Sequence, residues 1–253
     1  MWPAYVINLA ANTARMDNSA AQLQAQGIGF DRIDGVNGWD LDEAEIARVY
    51  DPATNARLGK YPLVRPEIGC YLSHIAAWTR IAEGTAPGGV IFEDDFQADD
   101  SLSDVLNALS GSAEDWDMVK LFSFDADPRA IDERALGDRF RLVTTYRVPT
   151  CLIGYGLTRG AARRLSERAI PFFRPVDEDQ KFLWETGLRV ATVLPPPILV
   201  GDQQAETGTI GNERRKAGRR RGPARLRQAV HGALYQMRYR RDLRRYWRER
   251  DVQ

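Results

Sequence analysis

The sequence predicts an α/β fold built on a largely parallel sheet. Two observations carry this reading. Apolar runs of strand length alternate along the chain with segments whose apolar residues recur every three to four positions. In addition, the run "GGVIFEDDF" (88–96) switches abruptly from buried-strand residues to three carboxylates, Glu93, Asp94 and Asp95. In open α/β sheets the ligand crevice lies outside the carboxyl ends of the strands, which is where these acids would fall. Like charges this close repel, and burying one unpaired costs several kcal/mol. Either exposure to water or a hard divalent cation with oxygen ligands must balance them.

The elements follow in order. "AYVINL" (4–9) reads as a buried strand, and "NTARMDNSAAQLQAQG" (12–27) as a helix capped by Asn12 or Thr13 and stopped at Gly27. "IGFDRID" (28–34) alternates like a second strand, and a helical stretch at 41–49 precedes a loop over 51–66. "EIGCYLSHIAAWTRIAEG" (67–84) places Ile68, Tyr71, Leu72, Ile75 and Trp78 on one helical face. After the strand ending in the carboxylates comes a short helix, "SLSDVLNALSG" (101–111), capped by Ser101 or Ser103. "DMVKLFSF" (117–124) and "TCLIGYGLT" (150–158) read as strands and "RGAARRLSERA" (159–169) as a helix. One further helix is expected over 176–187 and a last strand over 188–196, with no internal repeat.

With 253 residues, 43% hydrophobic and 28% charged, the chain has the composition of a soluble globular protein with one large domain or a domain plus an appendage. No secretory signal is expected from its opening residues, and no apolar run approaches the roughly 20 residues that span a bilayer. Cys70 falls in a helical pattern and Cys151 in a strand pattern, so both are expected as core filler in a reducing compartment. The net charge of zero conceals a division. Through residue 213 there are 20 Lys and Arg against 32 Asp and Glu; from Arg214 onward there are 15 against 3. An acidic globular domain over 1–212 and a basic tail over 213–253 are the expected units.

In the tail, Leu226, Val230, Ala233, Leu234 and Met237 form one helical stripe, followed by Tyr246 and Trp247, with arginines between. Such a helix suits an anionic membrane surface, each nearby Arg adding about 1 kcal/mol. Docking on the acidic body of its own chain is the other reading, and nucleic acid is not expected as a partner. The expected location is therefore cytoplasmic, peripheral at the inner face of the membrane.

The run "RPEIGCYLSHIAAWTRIAEGTAPGGVIFEDDF" (65–96) resembles the central segment of glycosyltransferase family 25. Members carry Gly-Cys-aromatic-Leu-Ser-His on a helix, here Gly69 to His74, then a strand ending Phe-Glu-Asp-Asp, here Phe92 to Asp95. "YVINLAANTAR" is similar to the family's first strand and the arginine after it, and "FDRIDGVNG" to its second strand ending Asp-Gly, here Asp34 and Gly35. "GYGLTRGAARRL" and the Pro-Val-Asp triplet at Pro175 to Asp177 complete the order across roughly residues 4 to 212.

The resemblance implies a GT-A-like fold with a Rossmann-type nucleotide-binding sheet, a UDP-sugar donor, most often UDP-galactose, and a Mn²⁺ or Mg²⁺ ion. Glu93-Asp94-Asp95 looks like the family's version of the Asp-x-Asp motif. Asp95 is the first choice for direct metal coordination, with Glu93 reaching either the ribose or, through water, the metal, and Asp94 orienting its neighbours. Carboxylate oxygens suit such hard ions. The family also implies inversion at the anomeric carbon, for which a carboxylate opposite the leaving group takes the acceptor proton. Asp177 is the candidate base, with Glu178 and Asp179 as competitors; read alone, "VDED" is an acidic first helical turn. Asn8, Leu9 and Arg15 fall where the nucleotide would lie, Asp34 could accept from the uracil or ribose, and Ser73 and His74 either contact the donor or pack the helix. Gln204 and Thr209 sit in the polar stretch expected to close the donor site. A glycan or glycolipid acceptor such as lipopolysaccharide is implied, with a protein acceptor or a non-catalytic nucleotide-binding module as the alternatives.

Overall fold

The computed structural model describes residues 1–201, Arg214 and 223–250, with side chains of the last helix from residue 229 onward. Gln204, Thr209 and the boundary expected at 212/213 lie outside the described residues. Strand β1 (Ala4–Asn8) is flanked by β2 (Phe30–Asp34) and β3 (Gly88–Glu93), both parallel to it. Helix α1 (Thr13–Ala25) links β1 to β2, and α2 (Glu43–Val49), α3 (Pro52–Leu58) and α4 (Arg65–Glu83) link β2 to β3. Asn8 pairs with Asp34 and Ile7 with Glu93, so the three strands end at one level.

The sheet continues through β5 (Met118–Lys120), β6 (Ala130–Leu136), β7 (Phe140–Thr145), β8 (Gly154–Thr158) and β9 (Val190–Leu194), in the order β2-β1-β3-β8-β5-β9-β7-β6. Among the described residues six strands run one way, and β8 and β7 run against them. The sheet is therefore mixed in its pairings while keeping a mostly parallel direction. A two-stranded ribbon of β4 (Phe96–Ala98) and β10 (Ile198–Val200) lies beside it.

Successive residues of the central strands point to opposite faces, and both faces are buried. Val6, Val90 and Phe92 pack toward α1 and α5 (Leu102–Ser110), with Leu23, Leu102, Val105, Leu106 and Leu109. Tyr5, Ile91, Tyr155 and Leu157 pack toward α4 and α6 (Arg159–Arg168), with Tyr71, Trp78, Ile81 and Leu165. Burying each large side chain fully contributes about 1.5–3 kcal/mol, so the sheet ends that carry the carboxylates are held rigidly from both faces.

Several expectations change. The loop expected over 51–66 contains α3, which Asp51 caps through Thr54 N and Pro52 opens. The helix expected over 176–187 is two short ones, α7 (Val176–Asp179) and α8 (Leu183–Thr186), the second stopped by Gly187 at φ 66°. The strand expected over 150–158 begins only at Gly154, and Cys151 precedes it in the left-handed region at φ 77°. The β6–β7 hairpin turns at Gly137 (φ 65°) inside a stretch left without elements.

The tail helix α9 (Pro223–Arg250) packs on its own body. Tyr235, Tyr239 and Leu243 are buried against Phe182, and Trp247 Nε1 donates to Tyr146 O at 2.9 Å. Tyr246 and Trp247, expected at a membrane interface, are thus half-buried against the protein, while Val230, Leu234 and Met237 of the expected stripe face outward. No described helix is long and apolar enough to cross a membrane.

Candidate active site

The three carboxylates after β3 have different partners. Asp94 is buried and fully engaged: Asn8 Nδ2 donates to its Oδ2 at 2.6 Å and Arg15 to its Oδ1 at 2.9 Å. Asn8 is equally committed, its Nδ2 also reaching Asn12 O and its Oδ1 accepting from Arg32 Nε at 3.0 Å. Ser19 Oγ donates to the Asp94 carbonyl. Asp94 therefore ties β1 and α1 to the end of β3.

Asp95 is 7% exposed, and its Oδ1 is a buried oxygen with no hydrogen-bond partner. Among the described residues it pairs with Arg15, at 3.9 Å from Oδ2. Burial first, then the Glu93 charge, pushes its carboxyl up to about 7 from the ordinary 3.8. Gly201 N donates to the Asp95 carbonyl at 2.7 Å, and a Cβ at Gly201 would sit 2.9 Å from that oxygen, so β10 ends directly beside Asp95.

Glu93 is held by a buried chain. Trp78 Nε1 donates to Tyr155 Oη at 2.7 Å, Tyr155 Oη lies 2.8 Å from His74 Nδ1, and His74 Nε2 lies 3.1 Å from Glu93 Oε1. The indole can only donate, so the Tyr155 hydroxyl has its own proton to give to His74 Nδ1. That leaves the His74 proton on Nε2, directed at Glu93. Cys70, one turn before His74, also has its sulfur within 4.8 Å of these donor atoms. A metal on His74 Nε2 would reverse this tautomer and leave the Tyr155 hydroxyl hydrogen without an acceptor. The chain therefore fixes a hydrogen bond to Glu93 and leaves the rest of that carboxylate free. Cys70, expected in the core, is half-buried at the edge of the site.

Close backbone approach sets the position of α4. A Cβ on Gly38 would lie 1.7 Å from Arg65 O, and one on Gly69 would lie 2.4 Å from Val36 O. Ser73 Oγ accepts from Val36 N and donates to Gly69 O, each at 2.8 Å. Ser73 thus clamps the loop after β2 to α4, and its hydroxyl is spent there. Asp34 is exposed and pairs with Arg32 at 3.0 Å, and Leu9 is half-buried at the strand end, its carbonyl accepting from Asn12 N.

The three acids of α7 separate just as clearly. Glu178 Oε2 accepts from Tyr235 Oη at 2.7 Å and lies 3.5 Å from Lys181. Asp179 accepts from Tyr71 Oη at 2.6 Å and pairs with Arg174 at 3.2 Å. Asp177 has one described hydrogen bond, from Cys151 N at 3.3 Å. Residues outside Gly seldom hold a left-handed φ, and such strain, on the order of 1–3 kcal/mol, gathers at functional sites. Lys120, missed by the sequence reading, is buried at the end of β5 with its Nζ on Pro149 O. Burial lowers it to about 8, while Cys151, Asp177 and Glu93 draw it upward. Asp177 and Glu93 thus share one electrostatic neighbourhood around a buried lysine.

A buried Asp95 with an unpartnered oxygen, next to a half-buried Glu93, offers oxygen ligands that fit a hard divalent cation. Residues 1–179 match the profile of glycosyltransferase family 25 (LPS biosynthesis protein). The chain belongs to glycosyltransferase family 25. It is 27% identical over 186 residues to procollagen galactosyltransferase 1-A of Xenopus laevis and 28% over 182 residues to procollagen galactosyltransferase 1-B of the same species. It is also 26% identical over 182 residues to the inactive glycosyltransferase 25 family member 3 of Homo sapiens. Each alignment covers 69% of this chain and 30% of the relative, so the chain matches less than a third of those proteins.

Proposed function

We propose that the protein is a metal-dependent inverting glycosyltransferase that moves a hexose, galactose by analogy with the named relatives, from a UDP-sugar to a glycan hydroxyl such as one on lipopolysaccharide. The observation that carries this is the buried Asp95, with an unpartnered oxygen and the Glu93 charge close by, at the carboxyl edge of the sheet. Asp95 and Glu93 would hold Mn²⁺ or Mg²⁺, which when bound supplies positive charge to the diphosphate leaving group. The His74 hydrogen bond fixes the Glu93 carboxylate for that role. Arg15 neutralises Asp94, so the local charge left for the cation comes from the other two acids.

In the transfer, the acceptor oxygen bonds to the anomeric carbon while the bond from that carbon to the diphosphate oxygen breaks, its electron pair leaving with UDP. Asp177 takes the acceptor hydroxyl proton, since Glu178 and Asp179 are occupied by Tyr235, Tyr71 and Arg174. The outward Val230, Leu234 and Met237, 52%, 41% and 60% exposed and followed by Arg240, Arg241, Arg244 and Arg245, support a peripheral contact with an anionic bilayer. Co-sedimentation with phosphatidylglycerol vesicles, lost in a Val230→Ser, Leu234→Ser, Met237→Ser variant, tests that contact.

The transferase reading is tested by UDP release from a panel of UDP-sugars, with Mn²⁺ or with chelator. One sugar turning over only with metal, and not in Asp95→Ala, is the expected result. An inactive protein that also fails to bind UDP with Mn²⁺ would place it with non-catalytic members of the family.

A further inference from the structure

A cleft of about 440 Å³ opens between the β5–β6 connection and residues 145–150. Phe124, Arg129, Tyr146, Arg147, Pro149 and Thr150 line it. We infer that this cleft is the acceptor subsite and that it takes an anionic saccharide, a sugar ring bearing carboxylate or phosphate. The inference rests on the transferase reading and names the acceptor class for it.

Position is the first argument. Pro149 and Thr150 lead directly into Cys151, whose N–H holds Asp177, and Pro149 O holds the buried Lys120. The wall of the cleft is therefore continuous with the segment that holds Asp177, the residue assigned to take the hydroxyl proton.

Surface chemistry is the second. Phe124 is 73% exposed, supported edge-on by Phe122 at 4.8 Å between ring centroids. Phe124 thus presents an aromatic face to anything that enters the cleft. Its flat face suits the C–H face of a pyranose ring.

Charge is the third. The Arg129 guanidinium lies 4.4 Å from the Tyr146 ring centroid, and Tyr146 is backed by Trp247 of α9. Stacking of this kind holds a guanidinium in place while its N–H groups stay available to a planar or tetrahedral anion. Arg129 and Arg147 are exposed, and neither has an ion pair among the described residues. Asp125, the acid in the lining, has its Oδ1 taken by Asp127 N at 3.1 Å. Two arginines against one acid make a cationic cleft on a body with 20 basic and 32 acidic residues through residue 213. That local reversal of charge selects an anionic ligand.

The experiment is calorimetric titration of the full chain with tetragalacturonate, its neutral methyl ester, glucose 6-phosphate and glucose, in low salt with Mn²⁺ and UDP present. At least tenfold tighter binding of tetragalacturonate than of the ester, or of glucose 6-phosphate than of glucose, is expected. Arg129→Gln with Arg147→Gln should remove that preference, and Phe124→Ala should weaken anionic and neutral sugars alike by tenfold. All three positions are exposed, and UDP with Mn²⁺ should bind each variant as it binds wild type. Equal affinity for charged and neutral sugars, or no binding of any of them, would overturn the inference. If UDP with Mn²⁺ also fails to bind wild type, the transferase reading itself falls; if it binds and the sugars do not, the acceptor assignment alone falls.

Discussion

Replacing Asp95 by Asn should make the metal-free protein more stable, although it removes the central residue of the site. The folded state keeps Asp95 almost out of water, beside Glu93, with one oxygen unpartnered. Its carboxyl is raised from 3.8 to about 7, so the folded state binds the proton more tightly than the unfolded state. The penalty is absent below about pH 4, grows as pH rises, and is complete once the folded group has ionised above about pH 7. Converted at about 1.4 kcal/mol per pH decade, the full penalty is on the order of 4 kcal/mol. The neutral isostere avoids it, giving a gain of about 2–4 kcal/mol at pH 8 that shrinks to about 1 kcal/mol at pH 4.5. In a chain this long that corresponds to a melting shift of roughly 5–10 °C. Urea unfolding in chelator at the two pH values measures it. Millimolar Mn²⁺ should then stabilise wild type, by binding the folded state alone, and leave Asp95→Asn unchanged. A variant less stable than wild type at pH 8, or equally stabilised at both pH values, would refute the picture of a buried carboxylate held for a cation.

Tyr155→Phe leaves the Trp78 indole N–H and one His74 nitrogen without partners in the core, a loss of about 2–5 kcal/mol measurable by urea unfolding. In the same variant His74 loses the Tyr155 contact on Nδ1 that orients it toward Glu93, which should weaken Mn²⁺ binding more than UDP binding without metal, as calorimetry separates. Gly38→Ala drives a Cβ into the Arg65 carbonyl and should cost roughly 3 kcal/mol or more, seen as loss of soluble folded protein. Leu243→Ala should cost about 2–4 kcal/mol and expose α9 to limited proteolysis, because Leu243 is 1% exposed in its contact with the body. Asp177→Asn should lower transfer by about 10²–10⁴-fold while leaving UDP and Mn²⁺ affinity intact, as measured by initial rates and calorimetry.

The elements around the donor side were legible because they are long and strongly patterned. β1, β3, α4 and α6 each combine an apolar period with a Gly or capping boundary, and the acids after Phe92 marked the end of β3. What escaped had weaker local signals. The β6 strand is an edge whose residues are almost all exposed, so it lacks the alternation that marks a half-buried strand. Helix α3 did carry a signal, Asp51 followed by Pro52 at the first helical position, but the Pro-flanked stretch around it resembled loop.

In the tail, arginine density drew attention to the Val230, Leu234 and Met237 stripe, whereas the packing face is the i, i+4 series Tyr235, Tyr239, Leu243 and Trp247. At the site, spacing alone does not separate Glu93, Asp94 and Asp95, and the roles expected of them come from the family resemblance. Only the fold shows Asp94 spent on Asn8 and Arg15, Glu93 fixed by His74, and Asp95 left with a free oxygen. Asp177 is singled out by the family resemblance, whereas the ties of Glu178 to Tyr235 and of Asp179 to Tyr71 and Arg174 depend on partners that sequence spacing does not reveal. Lys120 was unreadable for the same reason, since a lysine in a short strand gives no hint that it is buried.

The most direct test of the central assignment is calorimetric binding of UDP to wild type and Asp95→Asn, with Mn²⁺ and with chelator. Binding should require Mn²⁺ in wild type and be lost in Asp95→Asn, a variant expected to be the more stable of the two and so not unfolded. UDP binding that is equally tight in chelator, or that survives in Asp95→Asn, would contradict a diphosphate held through a cation on Asp95.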